Sequence, residues 1–286
     1  MNTKIAEMIT DRLIAKMQEG IIPWRRPWTG RADGPISHTT GRAYSLLNQL
    51  FMPEDGEFIT YNQAKKEGGH VKKGAIGYPV VFWKPYTIKE QNASGDMEEK
   101  TIPVLRYYTV FDVRDCEGIK PKYNDRELVK IADPDAAAEK VIADYVAHDG
   151  PTINRDNTSD RAFYCPADDS VTVPAIGQFE KTSEYYSTMF HELTHSTGHV
   201  SRLNRITRPA LFGSTEYSKE ELVAEIGAAV LVNRCGLESE SSFTNSAAYL
   251  QSWMKALKND PTMIILAAGK AEKAVAYILE GGKNND

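Results

Sequence analysis

No run of 18 apolar residues occurs in this 286-residue chain, which excludes a membrane-spanning helix. Cysteine is scarce. Cys116, Cys165 and Cys235 are odd in number, scattered and never in a Cys-x-x-Cys pair, so neither a disulfide framework nor a thiolate metal site fits them. The first 26 residues are amphipathic and lack the apolar stretch and cleavage site of a secretory signal, so they read as folded protein. These absences point to a cytoplasmic protein with no membrane partner. Internal repeats are also missing, as is any helix-turn-helix or zinc-finger pattern that would read duplex DNA. Disorder is excluded by what is present: four tryptophans, fourteen tyrosines and an apolar fraction of 41%, enough to fill one large core or two smaller ones.

The net charge of −5 hides an asymmetry. Residues 1–130 carry 20 Lys/Arg against 17 Asp/Glu, or +3, whereas residues 131–286 carry 14 against 22, or −8. Such a split fits two units with different partners, one of them polyanionic, and equally fits ordinary variation between domains.

Periodicity supports the same division. An N-terminal helix, with Ile5, Met8, Ile9, Leu13 and Met17 at helical spacing, stops at Gly20. Pro23-Trp24-Arg25-Arg26-Pro27-Trp28 follows, kept extended or turned by two prolines. Arg42 to Met52 reads as helix or strand, and Thr60 to Gly68 as a short helix. Alternating segments Tyr78–Ile88 and Ile102–Val113, joined by a polar turn at 92–96, predict a hairpin. Pro121 to Pro134 turns polar and charged and is the expected boundary between domains 1–130 and 131–286. Beyond it the spacing predicts a helix over 135–147, short strands at 162–164 and 170–173, and helices at about 182–197, 218–234, 245–258 and 261–280. The fold class is therefore α+β.

His191-Glu192-Leu193-Thr194-His195 carries the chemistry. On a helix, residues i and i+4 share a face, so His191 and His195 can point at one metal ion, with Glu192 one residue round to act on a water. With 6 histidines and 22 glutamates in the chain, this pattern arises by chance in roughly one such chain in 100. A catalytic zinc site needs a third protein ligand. His199 cannot supply it from a continuing helix, because eight residues carry it about 12 Å along the axis from His191. It reads instead as a packed group, or as one that steadies a ligand from behind, after a helix stop at Gly198. The better candidate is Glu221, in Ser218-Lys219-Glu220-Glu221-Leu222-Val223-Ala224-Glu225. Glu221 and Glu225 share a face with Ala228, where buried carboxylates need a compensating cation. Two alternatives stay open: Glu225 as the ligand, and Ser218-x-x-Glu221 as a capping box in which Glu221 only caps its own helix. If Glu221 binds the metal, Glu225 would hydrogen-bond a ligating histidine and fix its tautomer. Tyr217 and His199 are candidates for stabilising an oxyanion.

The Glu-x-x-Ala-Glu element is similar to the Glu-x-x-x-acid element of gluzincins, in which the first acid binds zinc. More broadly, the chain resembles the ArdC-type antirestriction proteins of plasmids and other mobile elements over nearly its whole length. The resemblance rests on Pro23-Trp24-x-x-Pro27-Trp28, Gly41-Arg42-x-Tyr44-x-x-x-Asn48, Thr60-Tyr61-x-Gln63-Ala64, Val71-x-Lys73-Gly74, Val81-x-Trp83, Tyr108-x-Val110-Phe111, the stretch from Tyr185-Tyr186 through His199, and Glu220 to Glu225. It implies an N-terminal α/β domain that binds single-stranded DNA, followed by a mainly helical, zincin-like metallopeptidase domain with a small sheet and one Zn²⁺ ion. It also implies protection of incoming DNA from host restriction. Two readings compete with this one: a catalytically silent zinc fold that acts by coating DNA, and a peptidase that cleaves a restriction-system component or another cytoplasmic regulator.

Binding of single strands without sequence preference needs cations along the backbone and aromatic faces for the bases. The first 130 residues interleave both: Trp24, Arg25, Arg26 and Trp28; Arg42 with Tyr44; Lys72 and Lys73; Trp83 with Lys84; Arg106 with Tyr107 and Tyr108. Trp24 and Trp28 are the candidates for stacking, and Arg25, Arg26, Lys72 and Lys73 for phosphates. Trp83, Tyr108 and Phe111 lie in alternating strands and read as core.

Overall fold

A computed structural model describes residues 3–25, 34–53, 55–91, 97–123, 131–156, 158, 160–206, 214–237 and 247–280. Helix α1 (Thr3–Gln18) buries Ile5, Ile9, Leu13 and Met17 along one stripe, as its period requires. It ends where Gly20 adopts φ +83° and the Gly20 and Ile21 amides bond back to the Met17 and Lys16 carbonyls.

Short strand β1 (Ile36–Ser37), helix α2 (Leu46–Gln49), strand β2 (Glu57–Thr60) and helix α3 (Tyr61–Lys66) lead to β3 (His70–Val71). Thr60 and Gln63 cap α3 reciprocally, each accepting the other's backbone amide. The predicted hairpin is β4 (Tyr78–Gln91) and β5 (Met97–Asp112), in continuous antiparallel register from Tyr78↔Val110 to Gln91↔Met97. The sheet order is β1-β2-β5-β4, which leaves β4 at an edge. Asn48 on α2 covers that edge: its amide donates to the Val81 carbonyl (3.0 Å) and accepts from the Val81 amide (2.8 Å). Strand β6 (Cys116–Glu117) pairs with β3. Segment 42–52, whose type the sequence leaves open, thus contains one helical turn, Leu46–Gln49, whose Asn48 serves the sheet edge.

The second half runs α4 (Pro134–His148), β7 (Thr152–Asp156), β8 (Phe163–Cys165), β9 (Ser170–Pro174), α5 (Thr182–Ser196), α6 (Thr215–Arg234), α7 (Ala247–Asn259) and α8 (Met263–Glu280). Its sheet has the order β7-β9-β8, with β7 parallel and β8 antiparallel to the central strand.

Helix α6 takes part in two cores. Leu222, Val223 and Ile226 join α1, Trp24, Leu47, Val81 and Leu105 from the first half and Trp253, Leu257 and Ile264 from the second. Leu231, Val232 and Cys235 join α4, β9, α5 and the end of α8. The helix predicted to carry the third metal ligand is therefore fixed by apolar contacts with both halves of the chain.

Candidate metal centre

Tyr185, Tyr186, Met189, Phe190 and Leu193 bury one side of α5, which leaves His191 and His195 one turn apart and half-buried on the side facing α6. The close approach of α6 depends on Gly227: a Cβ there would lie 2.6 Å from Thr194 Cγ2. Helix α6 begins at Thr215, capped by Ser214, whose hydroxyl accepts from the Tyr217 amide. Glu221 therefore sits in the second turn, and the capping-box alternative built on Ser218 falls away.

The two Nε2 atoms of His191 and His195 are 3.1 Å apart. Glu221 Oε2 lies 3.5 Å from His191 Nε2, and its Oε1 lies 3.5 Å from His195 Nε2. Ligands with metal bonds of about 2.0–2.1 Å at tetrahedral angles stand roughly 3.3 Å from one another, so these three groups are spaced to share one ion. Among the described residues, His191, His195 and Glu221 are the one group of three with metal-ligand chemistry brought this close.

The surrounding groups are strongly coupled. Burial opposes a charged His195, but hydrogen bonds to Glu220 and Glu221, with the charge of Glu192, outweigh it and raise the imidazole to about 10. Burial would likewise raise Glu221, yet its bonds to both histidines hold it well below the usual carboxylate range. Glu192 is buried beside the pair. Tyr217, one turn before Glu221, is pushed up to about 12 by burial first and then by the charge and hydrogen bond of Glu221.

Two contributors are not evident from spacing alone. Glu220 Oε1 lies 3.5 Å from His195 Nδ1, and Arg205 grips both oxygens of Glu220, at 2.9 and 3.2 Å. Arg205 also donates to Thr197 Oγ1 (2.8 Å) and to the Thr194 carbonyl (2.9 Å), so it ties the end of α5 to α6. The tandem Glu220-Glu221 is a visible signal, but only a settled α6 register shows that both carboxylates reach His195. Glu225, expected behind a ligating histidine, accepts from the Tyr249 hydroxyl at 2.7 Å. His199 pairs with the Ser201 hydroxyl (2.8 Å) in the turn beyond α5.

The candidate DNA contacts are redistributed. Trp24 is 1% exposed and meets Trp253 edge-on, with ring centroids 5.7 Å apart, so it is core and offers no face to a base. The reason is partly long-range: the core that encloses it combines residues of the first half with residues from 222–271, Trp253 among them. Arg26, Trp28 and the side chain of Arg25 lie outside the described residues. Arg42, Lys72 and Lys73 are exposed, with Lys72 Nζ donating to the Arg114 carbonyl (3.0 Å). Tyr44 is half-buried against Phe58. Trp83 and Tyr108, read as core from their alternation, are 42% and 39% exposed, and Phe111 is half-buried.

A helix bearing His-Glu-x-x-His, completed by a carboxylate from the next helix, defines a zincin-like metallopeptidase domain, and residues 137–270 match the family model of that description. Residues 3–111 match the N-terminal domain of the anti-restriction factor ArdC. Two crystal structures of the antirestriction protein ArdC from the R388 plasmid align with 98% of this chain. The metal-free form is 35% identical with a TM-score of 0.71 and 98% of its length covered. The Mn(II)-bound form is 36% identical with a TM-score of 0.73 and 99% covered. The chain belongs to the ArdC antirestriction family, with the two-domain order that the family resemblance implied. It is also 35% identical over 295 residues to the DNA primase TraC of Escherichia coli, although it spans only 27% of that protein's length. An uncharacterized protein, y4eC, of Sinorhizobium fredii is 29% identical, with 92% of its length covered. No helix among the described residues is long and apolar enough to cross a membrane.

Proposed function

We propose that this is an antirestriction protein of a mobile element, in which residues 1–130 bind single-stranded DNA and residues 131–286 carry a metal-dependent peptidase site. The observation behind the second assignment is the convergence of His191, His195 and Glu221, with Glu192 buried beside them. Two imidazoles and one carboxylate favour zinc, and the Mn(II)-bound relative supports a divalent ion at a site of this kind. When bound, one Zn²⁺ would polarise a peptide carbonyl and make water a better nucleophile near neutral pH.

The protein's own groups perform the rest. Glu192 accepts the proton from the attacking water and returns it to the leaving amine. Tyr217 donates its phenolic hydrogen toward the developing oxyanion. Glu220, held by Arg205, keeps the His195 ring turned so that Nε2 faces His191 and Glu221. Cleavage of a restriction-system component or a cytoplasmic regulator then accompanies coating of the incoming strand.

Glu192→Gln tests the chemistry. It should keep the metal, lose peptidase turnover by roughly 10²–10⁴-fold and lose protection of transferred DNA. Full protection with the metal still bound would show that the zincin half acts without cleavage.

A further inference from the structure

The β4–β5 hairpin carries an exposed surface that strand alternation alone would place in the core. From Phe82 onward on β4, and between Met97 and Val104 on β5, most residues on both faces are exposed. On one face of the pleat, register aligns Val80 with Tyr108, Phe82 with Arg106, Lys84 with Val104 and Tyr86 with Ile102. The Phe82 and Tyr108 rings are diagonal neighbours 5.6 Å apart. Phe82 is 40% and Tyr86 53% exposed.

The charge around these rings is of one sign. Residues 68–89 and 100–111 contain no Asp or Glu. Lys84 and Arg106 are exposed and form no ion pair among the described residues, whereas the pairs Lys89–Glu99 and Lys100–Glu90 lie towards the hairpin tip. A second copy meeting this face two-fold would set Lys84 and Arg106 against their own counterparts. An anion with flat faces fits better, and duplex DNA keeps its flat faces stacked inside.

Resting on the reading that the first half binds single strands, we infer that the Phe82–Tyr108–Tyr86 face of the β4–β5 hairpin is the base-stacking platform, with Lys84 and Arg106 meeting the phosphates. Phe82 and Tyr86 are four residues apart on one strand, about 13 Å, so the platform holds a few nucleotides and not a long tract.

Fluorescence anisotropy of a labelled oligo(dT) of about 20 nucleotides, with the full chain, tests this against a duplex of equal length. Phe82→Ala and Tyr108→Ala should each weaken single-strand binding by roughly 5- to 150-fold, while Tyr108→Phe, which keeps the ring, should bind like wild type. Lys84→Gln/Arg106→Gln should lower the slope of log affinity against log salt by about 0.7 for each phosphate no longer neutralised. Phe163→Ala removes an equally exposed ring from the second half and should change nothing. If wild type binds and the folded ring variants bind equally well, the platform lies elsewhere and the single-strand reading stands. If wild type binds no single strand, or binds duplex as tightly, both fail. Ring variants that change sedimentation but not DNA binding would make this a self-association face.

Discussion

Replacing Arg205 by leucine should injure both stability and metal binding, because one side chain serves both. Its guanidinium is 6% exposed and holds Glu220, a carboxylate 19% exposed that lies 3.5 Å from His195 Nδ1 and one residue from Glu221. Arg205→Leu leaves Glu220 in place with its cation gone, and breaking one side of a buried pair costs about 3–5 kcal/mol. The Thr197 hydroxyl and the Thr194 carbonyl, both in fully buried residues, lose a donor in the same step, which adds to the cost. Glu220, freed to turn, no longer fixes the His195 ring, and loss of such a supporting partner weakens metal binding by about 10- to 100-fold. Urea unfolding of the metal-free protein reads the first effect, and titration against a competing chelator reads the second. In Arg205→Leu/Glu220→Gln, where no charge is stranded, part of the stability should return while metal affinity stays low. A single variant destabilised by under about 1 kcal/mol, with wild-type metal affinity, would refute the reasoning.

Gly227→Ala should force α5 and α6 apart, because its methyl would meet Thr194 at 2.6 Å; thermal unfolding should show overpacking of about 1–3 kcal/mol, with metal affinity falling as Glu221 retreats. Trp24→Ala should cost about 3–5 kcal/mol by opening a cavity against Trp253, while the folded fraction keeps wild-type affinity for oligo(dT). Asp169 is held below the ordinary carboxylate range: burial would raise it, but Arg202 (2.5 Å) and the Tyr164 hydroxyl outweigh that. A carboxylate lowered in the folded state contributes stability above its unfolded pKa and loses it as pH falls. Asp169→Asn should therefore be less stable than wild type at pH 7, with the gap closing below about pH 4; a gap that persists in acid would contradict the pairing.

Much of this molecule is legible in the residues because the signals are local. The β4–β5 hairpin follows from alternation on both sides of a polar turn, and the histidine pair from an i, i+4 spacing that needs no tertiary knowledge. What escapes depends on partners far along the chain. Strand β7 is mostly polar and earns its place only through parallel pairing with β9. Trp24 sits between prolines and arginines, where a surface role looks natural, yet the core it joins draws on α6, α7 and α8 as well as α1. Trp83 and Tyr108 show the reverse. A period of two says that alternate residues share a face but not which face is covered, and the helices reach only the Val81–Leu105 end of the ribbon. Glu220 joins the site because helix phase puts it near His195 Nδ1 while Glu221 reaches Nε2, a division that spacing alone does not separate from Glu225.

The central claim is that His191, His195 and Glu221 together hold one divalent ion. Native mass spectrometry of the full chain after zinc loading and desalting, with Glu221→Ala and Glu225→Ala alongside, tests it most directly. One zinc per chain in wild type and in Glu225→Ala, and none retained by Glu221→Ala, is the predicted result. Retention by Glu221→Ala with loss in Glu225→Ala would contradict the ligand set, and a wild-type chain that holds no metal would contradict the site itself.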